Sequence, residues 1–144
     1  MARVKLDLPE RFSFSTGLTV RIGDINYGQH LGNDAVLAFA HEARIQFLKS
    51  FGFSEADVGG VGMIMLDAVI VYKSQAFHGD TLDVQVAVAD LSRAGFEFLY
   101  RLTNKTTEKE VARVKTGMAF FDYAAGKIVP MPEAFREKMA PAQP

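Results

Sequence analysis

With 144 residues, 49% of them apolar, the chain is long enough for one domain built on one core. A formal net charge of −1 with scattered Lys and Arg excludes the basic stripe that nucleic-acid binding requires, and the lack of cysteine excludes disulfides, thiolate nucleophiles and the common zinc sites. The opening MARVKLDLPERF carries no apolar signal-peptide core, and no apolar run approaches the roughly 18–20 residues of a membrane span, so a soluble cytoplasmic protein with no membrane partner is expected.

Residues 12–22, FSFSTGLTVRI, place Phe, Thr, Val and Ile in partial alternation and predict a strand. The loop GDINYGQHLGND, residues 23–34, then packs two aspartates, two asparagines, a histidine and three glycines into twelve positions. In DAVLAFAHEARIQFLKSF, residues 34–51, Val36, Ala40, Ala43, Phe47 and Phe51 recur at steps of three and four, which predicts a helix. Its first turns, Ala35 to Ala40, are apolar all round, so this helix is expected to be enclosed. Asn33 or Asp34 fits the N-cap and Gly52 the stop. FSEADVGGVG reads as a short turn, and residues 63–74, MIMLDAVIVYKS, as a long strand. After the turn HGD come strands at 81–92 and 94–104, the charged turn TTEKE, and a last long strand at 111–123. AAGK turns the chain, and PEAFREKM reads as a short amphipathic helix.

Strand, helix, then four strands on short connections imply an antiparallel sheet. Such a sheet curled around one greasy helix resembles the hot-dog fold: α+β, a single domain over 1–144, with an antiparallel five- to six-stranded sheet wrapped around one central helix. The sheet leaves an exposed edge, which predicts pairing with further copies as a homodimer or homotetramer.

Three stretches sharpen the resemblance. The chain reads VRIGDIN, then GQHLGND, then HEARIQFLKSFG. This is similar to the 4-hydroxybenzoyl-CoA thioesterase-like branch of the hot-dog superfamily, which carries V-R-[FY]-x-D-x-D, then G-H-x-N-N, then a helix ending E-A-R. VYKSQAFHGDTL resembles that family's Y-x-R-P-x-x-x-G-D-x-L, and ARVKTGMAFFDYAAGKIVPMPEAF its closing strand and tail, so the likeness runs from about residue 12 to 136. It implies an acyl-CoA thioesterase, with coenzyme A as part of the substrate and no separate cofactor. One departure matters: the second acid of D-x-D is Asn26, which cannot serve as nucleophile or base but can orient a water or hold a carbonyl. A second resemblance, to hot-dog enoyl-CoA hydratases with G-D-x-N-P-[LIV]-H, meets GDINYGQH with the histidine one residue late and Tyr27 in place of proline. A non-catalytic dimer that binds acyl thioesters is the third reading.

A thioester hydrolase needs donors where the oxyanion develops, a group to deliver water, and a groove for the pantetheine arm. The resemblance puts the acyl carbonyl at the helix N-terminus, here the amides of Gly32, Asn33 and Asp34, where N–H groups are free and the dipole is positive. Gly28 and Gly32 would let a ligand approach the backbone. Asn33 also reads as a plain N-cap. His30, with a side chain that titrates near neutrality, is the acid/base candidate, against a role in bracing the loop. Asn26 would position water or carbonyl, or brace the loop, while Asp24 reads as a cap. Tyr27 would line the acyl pocket or simply pack. Asp67, an acid among nine apolar residues in MIMLDAVIVY, is either a replacement carboxylate or a paired acid at a dimer seam. Glu42 is the other candidate carboxylate, since the resemblance places one on the central helix; with Gln46 and Lys49 it forms one polar face, which favours a helix-surface role. Lys73, Ser92 and Arg93 lie near strand ends, where the resemblance places coenzyme A phosphates; solvated surface is the plain alternative. His41 and His78 have no metal spacing with His30, so no metal is expected, and there is no G-x-S-x-G for a serine triad.

Overall fold

The computed structural model describes residues 2–143. Strand β1 (Phe14–Thr19), a 3₁₀ turn (Ile22–Asp24), helix α1 (Asn33–Lys49), strands β2 (Gly62–Tyr72), β3 (Thr81–Ala89), β4 (Gly95–Asn104), β5 (Glu110–Asp122) and β6 (Lys127–Val129), and helix α2 (Glu133–Met139) follow in chain order. The strands form one antiparallel six-stranded sheet in the order β1-β3-β4-β5-β2, with β6 on β5. This is the expected hot-dog arrangement. The three-residue strand β6 was not foreseen; it forms because the turn at Asp122–Gly126 folds Val129 back onto Phe120.

Period-two alternation sorts each strand into an inner and an outer face. Val84, Val86 and Val88 on β3, Phe96, Phe98 and Tyr100 on β4, and Val114 and Met118 on β5 are buried on the inner face. Helix α1 lies against that face through Val36, Ala40, Ala43 and Phe47, four of the five residues of the expected stripe. Phe47 meets Phe98 edge-on, with ring centroids 5.8 Å apart, and Phe14 at 5.6 Å. Phe51, the fifth, falls past the helix end, where Gly52 (φ 79°) supplies the left-handed residue that stops it. At the far end of the sheet α2 packs Phe135 between Phe96 and Phe120.

Three expectations change. First, the helix N-cap is Gly32, not Asn33 or Asp34, and it makes no side-chain cap. The Gly32 amide donates to the Asp24 carbonyl at 2.9 Å, which fixes the chain's entry into α1 one residue early. Second, β1 ends at Thr19, because Val20 turns to bond with Asp80 and Gly79. Third, α1 is not enclosed by its own chain: Ala38 is exposed and Leu37 and Ile45 are half-buried, since the sheet covers one side only.

An unforeseen segment, residues 2–13, lies as a strap over the outer face of the sheet. The Arg3 guanidinium donates to the Tyr72 carbonyl at 2.9 Å on β2, Arg113 on β5 donates to the Leu6 carbonyl at 3.0 Å, and Phe12 lies under the Arg101 guanidinium on β4. Outer-face residues Val71, Ala87 and Leu99 are buried. With no regular periodicity of its own, the strap left no pattern to read.

Candidate active site

The polar loop is knitted by its own backbone. Asp24 Oδ2 accepts from the Arg21 amide at 2.8 Å and closes the 3₁₀ turn. Asn26 is held at three points: its amide donates to the His30 carbonyl (3.0 Å), its carbonyl accepts from Gln29 (2.9 Å), and its Oδ1 accepts from the Gly28 amide (2.9 Å). These bonds hold Gln29 at φ 65°, a left-handed conformation that costs a side-chain-bearing residue some strain. The Asn26 Nδ2 group has no partner among the described residues.

His30 Nδ1 stands 3.1 Å from the Leu31 carbonyl. A carbonyl only accepts, so in this bond the ring donates from Nδ1, and the neutral imidazole keeps its lone pair on Nε2. Gly28 holds this lone pair and Asn26 close together. A Cβ there would lie 3.0 Å from His30 Nε2 and 3.2 Å from Asn26 Oδ1, tighter than a side chain accepts without displacing one of them.

A cleft of about 330 Å³ opens where the loop meets the end of β2, and Asn26, His30, Asn33, Tyr72 and Lys73, with Ser74 and Gln75, supply its polar lining. Leu31, Val36, Ala76 and Val111 form the apolar wall. Its size falls within the usual range for small-molecule sites. The amides of Asn33 and Asp34 find no acceptor among the described residues, and Asn33 lines the cleft. The cleft is thus lined by a residue whose amide is an unmet donor at the positive end of a 17-residue helix.

Tyr72 was not singled out in the sequence. Its hydroxyl donates to the Asn33 carbonyl at 2.9 Å and ties the end of β2 to the first turn of α1. Burial, and then the negative charge of Asp34, push its pKa up, which keeps it a donor. The available signal was a tyrosine ending an apolar strand directly before Lys73.

The structure thus brings Asn26, His30, Asn33 and Lys73 to one cleft and leaves the other expected residues elsewhere. The Gly32 amide, expected to be free for a ligand, is engaged by Asp24. Asp34 is exposed and outside the cleft lining, although its Oδ1 lies 2.6 Å from where a Gly32 Cβ would sit. Tyr27 is wholly exposed and is not among the cleft residues. Asp67 lies on the outer face at a β-bulge, 2.8 Å from Lys115 Nζ and 3.0 Å from the Gly117 amide. The Lys115 hydrogen bond holds its carboxyl below the usual range. Ser92 and Arg93 cap the β3–β4 turn and hold α2, bonding Gly95, Met131 and Arg136. β4 begins opposite Ala119 of β5 and β2 ends opposite Ala112, so these two residues stand about 20 Å along the sheet from Lys73. Glu42 is on the exposed face of α1, bonded to Gln46.

Comparison with known proteins gives a concordant result. The family model of the thioesterase-like superfamily matches residues 20–139. A relative from Aquifex aeolicus, described as a candidate esterase, is 30% identical over 101 residues, covering 69% of this chain and 76% of its own. Among solved structures, a 1,4-dihydroxy-2-naphthoyl-CoA thioesterase from Synechocystis superposes with a TM-score of 0.81 at 22% identity, covering 88% of this chain and 95% of its own. A hypothetical protein from Staphylococcus aureus, solved in complex with CoA, gives a TM-score of 0.82 at 18% identity over 97% of this chain and 90% of its own.

Proposed function

The chain belongs to the thioesterase-like superfamily, and from that premise we propose that it hydrolyses an acyl-coenzyme A to the free acid and coenzyme A. The observation that carries the reading is that Asn33, whose amide at the N-terminus of α1 is unmet, lines the same cleft as His30. The thioester carbonyl oxygen accepts from this amide. A water held by Nε2 attacks the carbonyl carbon and gives its proton to the imidazole as the oxyanion forms. The C–S bond then breaks, and the imidazolium returns the proton to the leaving thiolate. Asn26 takes no proton; its Nδ2 group donates to the carbonyl or steadies the water. The steps use only these groups, and coenzyme A enters as part of the substrate. The CoA-bound structure from Staphylococcus aureus and the aroyl-CoA thioesterase from Synechocystis support this substrate class. We place the protein in the cytoplasm with that substrate; among the described residues no helix is long and apolar enough to cross a membrane.

The hydratase reading requires Asp24 and His30 as an acid/base pair. Asp24 lines a different opening, with Phe39, Glu42 and Gln46, and its carboxylate closes a turn. Thiol release from a panel of short, long, branched and aromatic acyl-CoAs is the test. His30→Ala should lower kcat about 10²–10⁴-fold, the usual worth of general acid–base catalysis. Asn26→Ala should also lower kcat, whereas Asp67→Asn should leave it unchanged. Full rate in both His30→Ala and Asn26→Ala would end this assignment of the site.

We further propose a homodimer formed along β2. This strand ends the sheet, its outer edge has no strand partner among the described residues, and Met65 and Leu66 are exposed on it. Pairing there would also bring a second chain toward the uncovered side of α1. Leu66→Glu, which places like charges opposite one another across a two-fold seam, should convert the dimer to monomer in analytical ultracentrifugation. A wild-type chain that sediments as a monomer would refute the proposal.

A further inference from the structure

A second groove, of about 600 Å³, runs between the strap and the outer face of the sheet, lined by Arg3, Lys5, Asp7, Val71, Lys73 and Arg113. Lys73 lines both this groove and the cleft, so the two openings are neighbours across one side chain. The groove holds four cations against one carboxylate, in a chain whose formal net charge is −1. Arg113 is engaged by Glu110 at 2.8 Å. Among the described residues no carboxylate lies within 4.0 Å of Arg3, Lys5 or Lys73, although six other Lys, Arg or His residues of the chain have such a partner. A concentration of unneutralised cations in a concave surface is suited to a ligand bearing several phosphates.

Tyr72 joins the groove to the cleft. Its hydroxyl holds the Asn33 carbonyl, and its own carbonyl accepts from Arg3 at 2.9 Å. The strap is thereby fastened to the residue that also positions the helix end where the thioester would react.

We propose that residues 2–7 of the strap, with Lys73, bind the phosphate-bearing nucleotide end of coenzyme A while its acyl thioester lies in the adjoining cleft. This inference rests on the acyl-CoA reading above and gives that reading a selectivity. A free coenzyme A thioester carries the 3′-phosphate and pyrophosphate that the groove would neutralise; the same acyl group on pantetheine carries neither.

The experiment compares an acyl-CoA with the matching acyl-pantetheine for the wild type, Arg3→Ala/Lys5→Ala and Lys5→Glu. Lys5→Glu leaves the Arg3 tether to Tyr72 in place, so it reports charge without releasing the strap. For acyl-CoA, KM should rise about tenfold or more in both variants, in line with the loss of charge-assisted hydrogen bonds, while kcat holds. For acyl-pantetheine, which does not enter the groove, KM should stay put. Added salt should raise KM for acyl-CoA alone. Equal changes in KM for both substrates, or none for either, would overturn the proposal. So would variants that lose only the reaction with an acidic acyl-carrier protein, since the groove would then read a protein. Calorimetry with adenosine 3′,5′-bisphosphate separates this proposal from the reading it rests on. If no acyl-CoA is hydrolysed, the thioesterase reading fails; binding of that nucleotide by the wild type and not by the variants would still support the groove, and its absence in the wild type would refute it.

Discussion

Asn33→Pro should lower kcat for thioester hydrolysis about 10²–10³-fold while the protein melts close to the wild-type temperature. The rate figure is the usual effect of removing one oxyanion donor. The fold should survive because Asn33 is the first residue of α1, the helical position that proline suits best. There the missing N–H breaks no internal bond, since this amide has no acceptor among the described residues. Gly32 before it already sits at φ −65° and ψ 148°, the extended region that a following proline demands. The Asn33 carbonyl, which accepts from Tyr72, is untouched. Asn33→Ala is the companion variant: it keeps the amide, loses the side chain, and should retain most of the rate. Thiol-release kinetics with a thermal melt by circular dichroism read both quantities. A fast Asn33→Pro enzyme would remove the amide from the mechanism, and an Asn33→Ala enzyme as slow as the proline variant would move the role to the side chain.

Arg44→Ala should destabilise the fold by about 2–3 kcal/mol, because it removes a buried arginine and leaves the buried Tyr100 hydroxyl and the half-buried Glu55 without their shared donor. At this chain length the melting midpoint should drop by on the order of 10 °C. Arg44 is 4% exposed on the sheet side of α1. Its Nε donates to Glu55 Oε2 at 3.2 Å and its Nη1 to the Tyr100 hydroxyl at 3.1 Å. That hydroxyl shares a 2.8 Å bond with Thr116 Oγ1, and Glu55 Oε1 stands 2.8 Å from His41 Nε2. One guanidinium therefore connects α1, the connection before β2, and the centre of β4 and β5. Burial is the main cause raising the Tyr100 pKa, so the phenol stays neutral and accepts from arginine. Tyr100→Phe should cost about 1 kcal/mol, as a single buried hydrogen bond does, and a double-mutant cycle with Arg44→Ala should show coupling. Denaturant unfolding measures each corner. A loss below about 1 kcal/mol for Arg44→Ala would mean that water fills the arginine's place at no penalty.

What the sequence determined by itself was whatever depends on near neighbours along the chain. Alternation in residues 81–104 set the inner and outer faces of β3 and β4, the three-and-four spacing from Val36 to Phe47 set the buried side of α1, and Gly52 set its stop. The density of polar groups in residues 23–34 marked the loop that frames the cleft. The tertiary structure alone decided which of those groups face a ligand. The Gly32 amide is engaged because Asp24 folds back onto it, which leaves Asn33 as the cleft-lining residue with an unmet amide. Ser92 and Arg93 part from Lys73 because strand register sends their turn to the opposite end of the sheet. The strap meets β2 through Arg3 and Tyr72, 69 residues apart in sequence, and the Arg44–Tyr100 bond spans 56. Such pairings follow from where strands and helix come to rest against one another, which a period read along the chain does not encode.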